Sequence, residues 1–98
     1  MLDHGEINRL VGNAAVAALR HAEVKAVHSR DALDADGQEA LKVTIVIGPD
    51  DTSRISGDDA LDALVGIQRD LQASGEQRFA YVYYATEDEL SGDDDAQP

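Results

Sequence analysis

The sequence predicts an α+β fold, a two-layer sandwich in the order α-β-β-α-β. A three-stranded mixed sheet carries two helices on one face, and an acidic disordered tail follows. Three observations predict it. Apolar residues recur at helical spacing in two stretches, Ile7 to Leu19 and Ala60 to Leu71. Two other runs, 41–47 and 78–86, are rich in β-branched or aromatic residues and alternate in polarity. Between these four stretches lie clusters of Gly, Pro and Asp, the residues that end ladders and favour turns.

The first helix is expected from about Gly5 to His21. Asp3 and Glu6 stand at capping-box spacing ahead of Ile7, Leu10, Val11, Ala14, Ala18 and Leu19. That stripe is rich in alanine and includes Gly12, so a second backbone can approach it closely, from a sheet or from another copy of the chain. His21 suits the C-terminal end of the helix, where a cation is favoured. Two strands follow. Residues 24–33 alternate weakly. Leu41, Val43, Ile45 and Ile47 share one face of the next strand, and Lys42, Thr44 and Val46 the other.

The connection between them, Asp34-Ala35-Asp36-Gly37, has the spacing of part of a calcium loop. An EF-hand also needs oxygen ligands at its first and twelfth positions. Here those positions are Ala32 and Val43, so the stretch is read as a hairpin turn. Two forms remain open: a three-residue loop ending in a left-handed Gly37, and a two-residue Asp36-Gly37 turn. They differ in pairing register by one residue.

Gly48 and Pro49 stop the second strand. Ser56 caps the second helix, with Asp59 three residues on. Ala60, Leu64, Ile67 and Leu71 mark its buried face, widened by Leu61, and Gly75 closes it. The last strand has Phe79, Tyr81 and Tyr83 on one side and Ala80, Val82 and Tyr84 on the other. Strands two and three flank a helix, so they should be parallel, with a right-handed crossover. Thr86 and Glu89 suit the cap of a last short turn. One domain, residues 1–86, and a flexible tail, 87–98, are expected.

Composition narrows the function classes. The chain has 98 residues and a net charge of −12, and the tail 87–98 holds six acids and no base. A surface of that sign repels phosphate backbones and anionic lipids, so DNA is not an expected partner and RNA is disfavoured. Cysteine is absent, which excludes disulfides and thiolate zinc and fits a cytoplasmic, bacterial-type protein. No apolar run approaches the roughly 20 residues that span a bilayer, and the acidic N-terminus is unlike a signal peptide.

Catalytic and metal chemistry have weak support. Asp50, Asp51, Asp58, Asp59 and Asp62 form an acidic cluster that suggests magnesium, but acids in a first helical turn ordinarily complement the helix dipole. His4, His21 and His28 form no ligand pair at helical or hairpin spacing. No cofactor, catalytic residue or metal ligand is therefore assigned. The tyrosines are more informative. Two helices cover one sheet face, which leaves a tyrosine-bearing face open; Tyr81, Tyr83, Tyr84, Val46 and Thr44 are the candidate interface. The expected function is a small acidic interaction module without catalysis, acting as a homodimer or as the partner or inhibitor subunit of another, basic protein.

The order of elements over residues 5–86 also resembles the type II KH-like fold, which implies association with RNA or the ribosome. The resemblance covers element order and approximate length. The G-x-x-G loop of that fold is absent, the second helix shows no break, and the charge is of the opposite sign.

Overall fold

The computed structural model describes residues 2–90. Its elements are α1 (His4–Ala18), β1 (Val24–Leu33), β2 (Glu39–Ile47), a short 3-10 turn (Thr52–Arg54), α2 (Gly57–Ala73) and β3 (Phe79–Thr86). The sheet runs β1-β2-β3, with β1 antiparallel and β3 parallel to the central β2. This is the α+β sandwich with a three-stranded mixed sheet that the sequence predicts.

Each boundary has a local cause. Asp3 caps α1, its carboxylate accepting from the Glu6 amide at 2.8 Å. The helix stops at Ala18 rather than His21. The Leu19 amide still bonds back to Ala15, but Leu19 leaves helical ψ and turns its side chain into the core. His21 is therefore an exposed loop residue, not a helix terminus. Ser56 caps α2 by accepting from the Asp59 amide at 3.0 Å. Gly75, at φ +99°, ends α2 in a Schellman motif: the Glu76 amide donates to the Leu71 carbonyl and the Gly75 amide to Gln72.

The hairpin takes the three-residue form. Gly37 sits at φ +80°, the Gly37 amide bonds to the Asp34 carbonyl at 3.0 Å, and the Asp34 amide bonds to the Gln38 carbonyl at 2.9 Å. Asp34 Oδ1 accepts from the amides of Asp36 and Gln38, both at 2.9 Å. Its lone pairs hold the turn, as an Asx motif does.

The helices lie on one side of the sheet. Ile7, Val11, Ala14 and Ala15 of α1, Leu19 just after it, and Ala63, Ile67 and Leu71 of α2 join Leu41, Val43, Ile45 and Ile47 in one buried cluster. Burying each large member contributes about 1.5–3 kcal/mol. The small stripe on α1 is consumed within the chain: Ala14 meets Gly66 of α2, and Gly12 meets Val27 of β1. On α2 Ala63 is buried and Leu61 is 58% exposed, so Leu61 does not widen the core face. Thr86 and Glu89 form the anticipated cap, with reciprocal bonds of 3.3 and 3.1 Å, and a helical turn occupies 87–90. The rest of the acidic tail, 91–98, lies outside the described residues.

Candidate interaction face

Strand pairing lays out the uncovered sheet face in four rows. Across β1, β2 and β3 they read Ala32-Ala40-Phe79, Arg30-Lys42-Tyr81, His28-Thr44-Tyr83 and Ala26-Val46-Ala85. Phe79, Tyr81 and Tyr83 remain 47, 41 and 50% exposed, well above what a core aromatic shows. Phe79 and Tyr81 meet edge to face, with ring centroids 4.9 Å apart. Lys42 Nζ stands over the Tyr83 ring, 5.3 Å from its centroid, which is cation–π geometry.

The charge of this face is opposite to that of the chain. Arg30 and Lys42 face one another across the β1-β2 ladder, and neither has an acidic partner among the described residues. No Asp or Glu occurs in the four rows. Like charges directly opposite on neighbouring strands repel. At the upper end of the face Lys25 pairs with Glu87 at 3.3 Å, linking the bulge in β1 to the turn after β3.

Of the five sequence candidates, Tyr81, Tyr83 and Thr44 belong to this surface. Two do not. Tyr84 points to the helices and packs against the core, because alternation places it beside Ala80 and Val82. Its hydroxyl is buried and has no hydrogen-bond partner, rather than being wet at an edge, and burial raises its pKa. Val46 lies on the open side, between Ala26 and Ala85, but is only 2% exposed and offers a partner almost no area. Sequence reasoning missed Arg30, Lys42 and Phe79. The strand register is the signal that brings them together.

A second polar cluster sits at the foot of α1, on the covered side. Arg78 Nε and Nη2 bond both carboxylate oxygens of Glu76, at 2.9 and 3.1 Å, while Nη1 reaches Asp31 at 2.7 Å. Glu76 also accepts from the Leu2 amide at 3.0 Å, pinning the chain ahead of α1. Glu76 is 1% exposed, and the guanidinium holds its carboxyl down at about 2. The same guanidinium lowers the pKa of Asp31, and Glu76 raises that of Arg78.

His4 joins this cluster, its Nδ1 2.9 Å from Ser29 Oγ and its Nε2 3.2 Å from Asp31 Oδ1. Ser29 Oγ donates to Asn8 Oδ1 at 2.7 Å, so its proton is committed to an amide rather than to a base. The bonds of His4 and Asn8 to Ser29, and of His4 to Asp31, tie α1 to β1.

The acidic stretch Asp50 to Asp62 is dispersed. Asp51 turns inward and accepts from the Glu23 amide at 2.8 Å. That approach needs Gly48, where a Cβ would lie 2.5 Å from the Asp51 carboxylate. Asp58 and Asp59 stay in the first turn of α2, beside its dipole. Among the described residues, no three of His, Asp and Glu converge on a point that could hold a metal ion. No helix among them is long and apolar enough to cross a membrane. Comparison with protein-family models, with curated proteins and with solved structures finds no match to this chain.

Proposed function

We propose that this protein is a non-catalytic interaction module that docks a protein partner on its open sheet face. One observation carries the reading: Arg30, Lys42 and Tyr81 form a continuous row, exposed at both ends and half-buried at Lys42, with no acid in it. Tyrosine and arginine dominate binding hot spots because they combine apolar area with a polar tip. An anionic group set between Arg30 and Lys42 relieves their mutual repulsion, so the sheet gains on binding what it lacks when free. The partner therefore offers Asp or Glu to that row and apolar or planar groups to Tyr83 and Phe79.

This modifies the partner expected from net charge alone. A basic partner suits the helix surface, where Asp58 and Asp62 are exposed. A second copy is a poor occupant of the open face, since a two-fold pairing would bring four cations together without an anion. The absence of cysteine suits a cytoplasmic setting.

A second reading, single-stranded RNA, has the stacked aromatics and two cations in its favour and the net charge of −12 against it.

The test is affinity capture from the native cell with three full-length baits: the unaltered chain, Arg30→Ser/Lys42→Ser, and the helix-surface control Asp58→Ser/Asp62→Ser. The expected result is a protein retained by the first and third baits and reduced at least about tenfold on the second, the loss of one good contact. Equal capture by all three removes the open face from the function. Captured RNA that a nuclease releases, with no accompanying protein, selects the second reading.

A further inference from the structure

Building on that docking face, we propose that the chain's own acidic segment, residues 91–98, is its resting occupant, so that the module competes with itself for its partner. Three observations point to this segment. The first is complementarity. Residues 91–98 contain Asp93, Asp94 and Asp95 and no base, while Arg30 and Lys42 are the only cations in the four open rows, with no acid beside them.

The second is the route of the chain. It leaves β3 at Thr86, at the upper end of the open face, and the next residue, Glu87, already crosses to Lys25 on the far strand. The Lys42 ammonium lies over Tyr83, three residues below Thr86, a distance of about 10 Å along a strand. Residues 91–95 can span up to about 17 Å when extended. The helical turn 87–90 adds at most about 6 Å to that path, so the far end of the acidic run, at Asp95, comes within reach of Lys42.

The third is the physics of a −12 chain. An acidic ligand arriving from solution meets the repulsion of the whole molecule, whereas a tethered one is held at an effective concentration of about millimolar. Each exposed ion pair is weak and screened by salt. The occupancy is therefore reversible, and a partner with better-placed acids and an apolar anchor for Tyr83 displaces the segment. Removing the segment should strengthen partner docking.

The chain contains only two lysines, Lys25 and Lys42, which makes a clean test. A zero-length carbodiimide joins a carboxylate to an amine only when they touch. Applied to the full chain at low salt, it should yield the Lys25–Glu87 amide as an internal standard. It should also yield an amide from Lys42 to Asp93, Asp94 or Asp95 in the monomer fraction, suppressed in 1 M NaCl. Mass spectrometry of the digest reads both. In parallel, Asp93→Asn/Asp94→Asn/Asp95→Asn should raise acetylation of Lys42 by acetyl-N-hydroxysuccinimide several-fold relative to Lys25.

A Lys25–Glu87 product without any Lys42 product, unchanged Lys42 reactivity in the triple variant, or Lys42 products confined to a dimer fraction would each overturn the proposal. The function reading fails separately. If Arg30→Ser/Lys42→Ser loses the partner while the triple variant captures no more than the unaltered chain, the face docks a partner but the segment does not guard it.

Discussion

Thr44 and Ile45 are consecutive residues of one strand, and they occupy different media. Ile45 is sealed among Val11, Ile67 and their neighbours, in a layer of apolar side chains contributed by every helix and strand of the core. Thr44 looks out between His28 and Tyr83 on a surface with two cations and no anion. The side under the helices is closed at its centre: Leu41, Val43, Ile45 and Ile47 are buried, and its charged groups, Glu76 and Arg78, satisfy one another, while the Tyr84 hydroxyl is left without a partner. The open side is left incomplete, with aromatic area exposed and like charges opposed. A sheet that needed only to be stable would place an acid opposite Lys42. That contrast is the basis for reading one side as scaffold and the other as docking surface.

Substitutions can break or sharpen the contrast. The largest effect is expected on the sealed side: Ile45→Ala should cost about 3 kcal/mol, while Thr44→Ala beside it stays within about 0.5 kcal/mol, as read by urea unfolding. Near-equal costs would erase the distinction between the faces.

Next is the buried ion cluster. Glu76 has a folded-state pKa of about 2, depressed below its ordinary 4.5 by Arg78. Its contribution is therefore fully present above about pH 4.5 and is lost as pH falls from there through about 2. The loss should approach about 3 kcal/mol in the unaltered chain, and the Glu76→Gln variant should lack that acid-dependent part. Parallel acid-unfolding curves for the two would show that Glu76 is not held by Arg78.

Smaller and opposite in sign, Lys42→Glu sets an acid opposite Arg30 and should raise stability by about 0.5 kcal/mol while abolishing partner capture. Loss of both stability and capture would mean that Lys42 supports the fold. Smallest is Tyr84→Phe, which removes a buried hydroxyl without a partner; thermal unfolding should show no loss and a gain of up to about 1 kcal/mol.

Much of this is legible in the amino-acid sequence. Asp3, Ser56 and Gly75 are local signals, and each acts locally as its chemistry dictates. Parallel pairing of β2 with β3 follows from a helix between them. The face chemistry was not legible, because it depends on a single residue of register. A two-residue Asp36-Gly37 turn would have set Asp31 opposite Lys42 and turned Arg30 toward the core. The three-residue loop instead pairs Leu33 with Glu39 and so brings Arg30 to Lys42. Both turns use the same four residues, and the choice falls to burial across the whole ladder: Arg30 stays in water and Val27 goes inside. Net charge is silent about the open rows for a related reason. It averages over the whole chain, whereas the acids that β1 and β2 carry, Asp31 and Glu39, sit on the helix-facing side of the ladder and none falls in the open rows.

The three tyrosines are divided between the two faces, so nitration with tetranitromethane in 1 M NaCl, where salt screens any anionic segment from the open face, tests the division most directly. Peptide mapping should find Tyr81 and Tyr83 modified in the folded protein and Tyr84 protected until urea unfolds it. Modification of Tyr84 at the rate of Tyr81, or protection of all three, would contradict a sheet sealed on one side and open on the other.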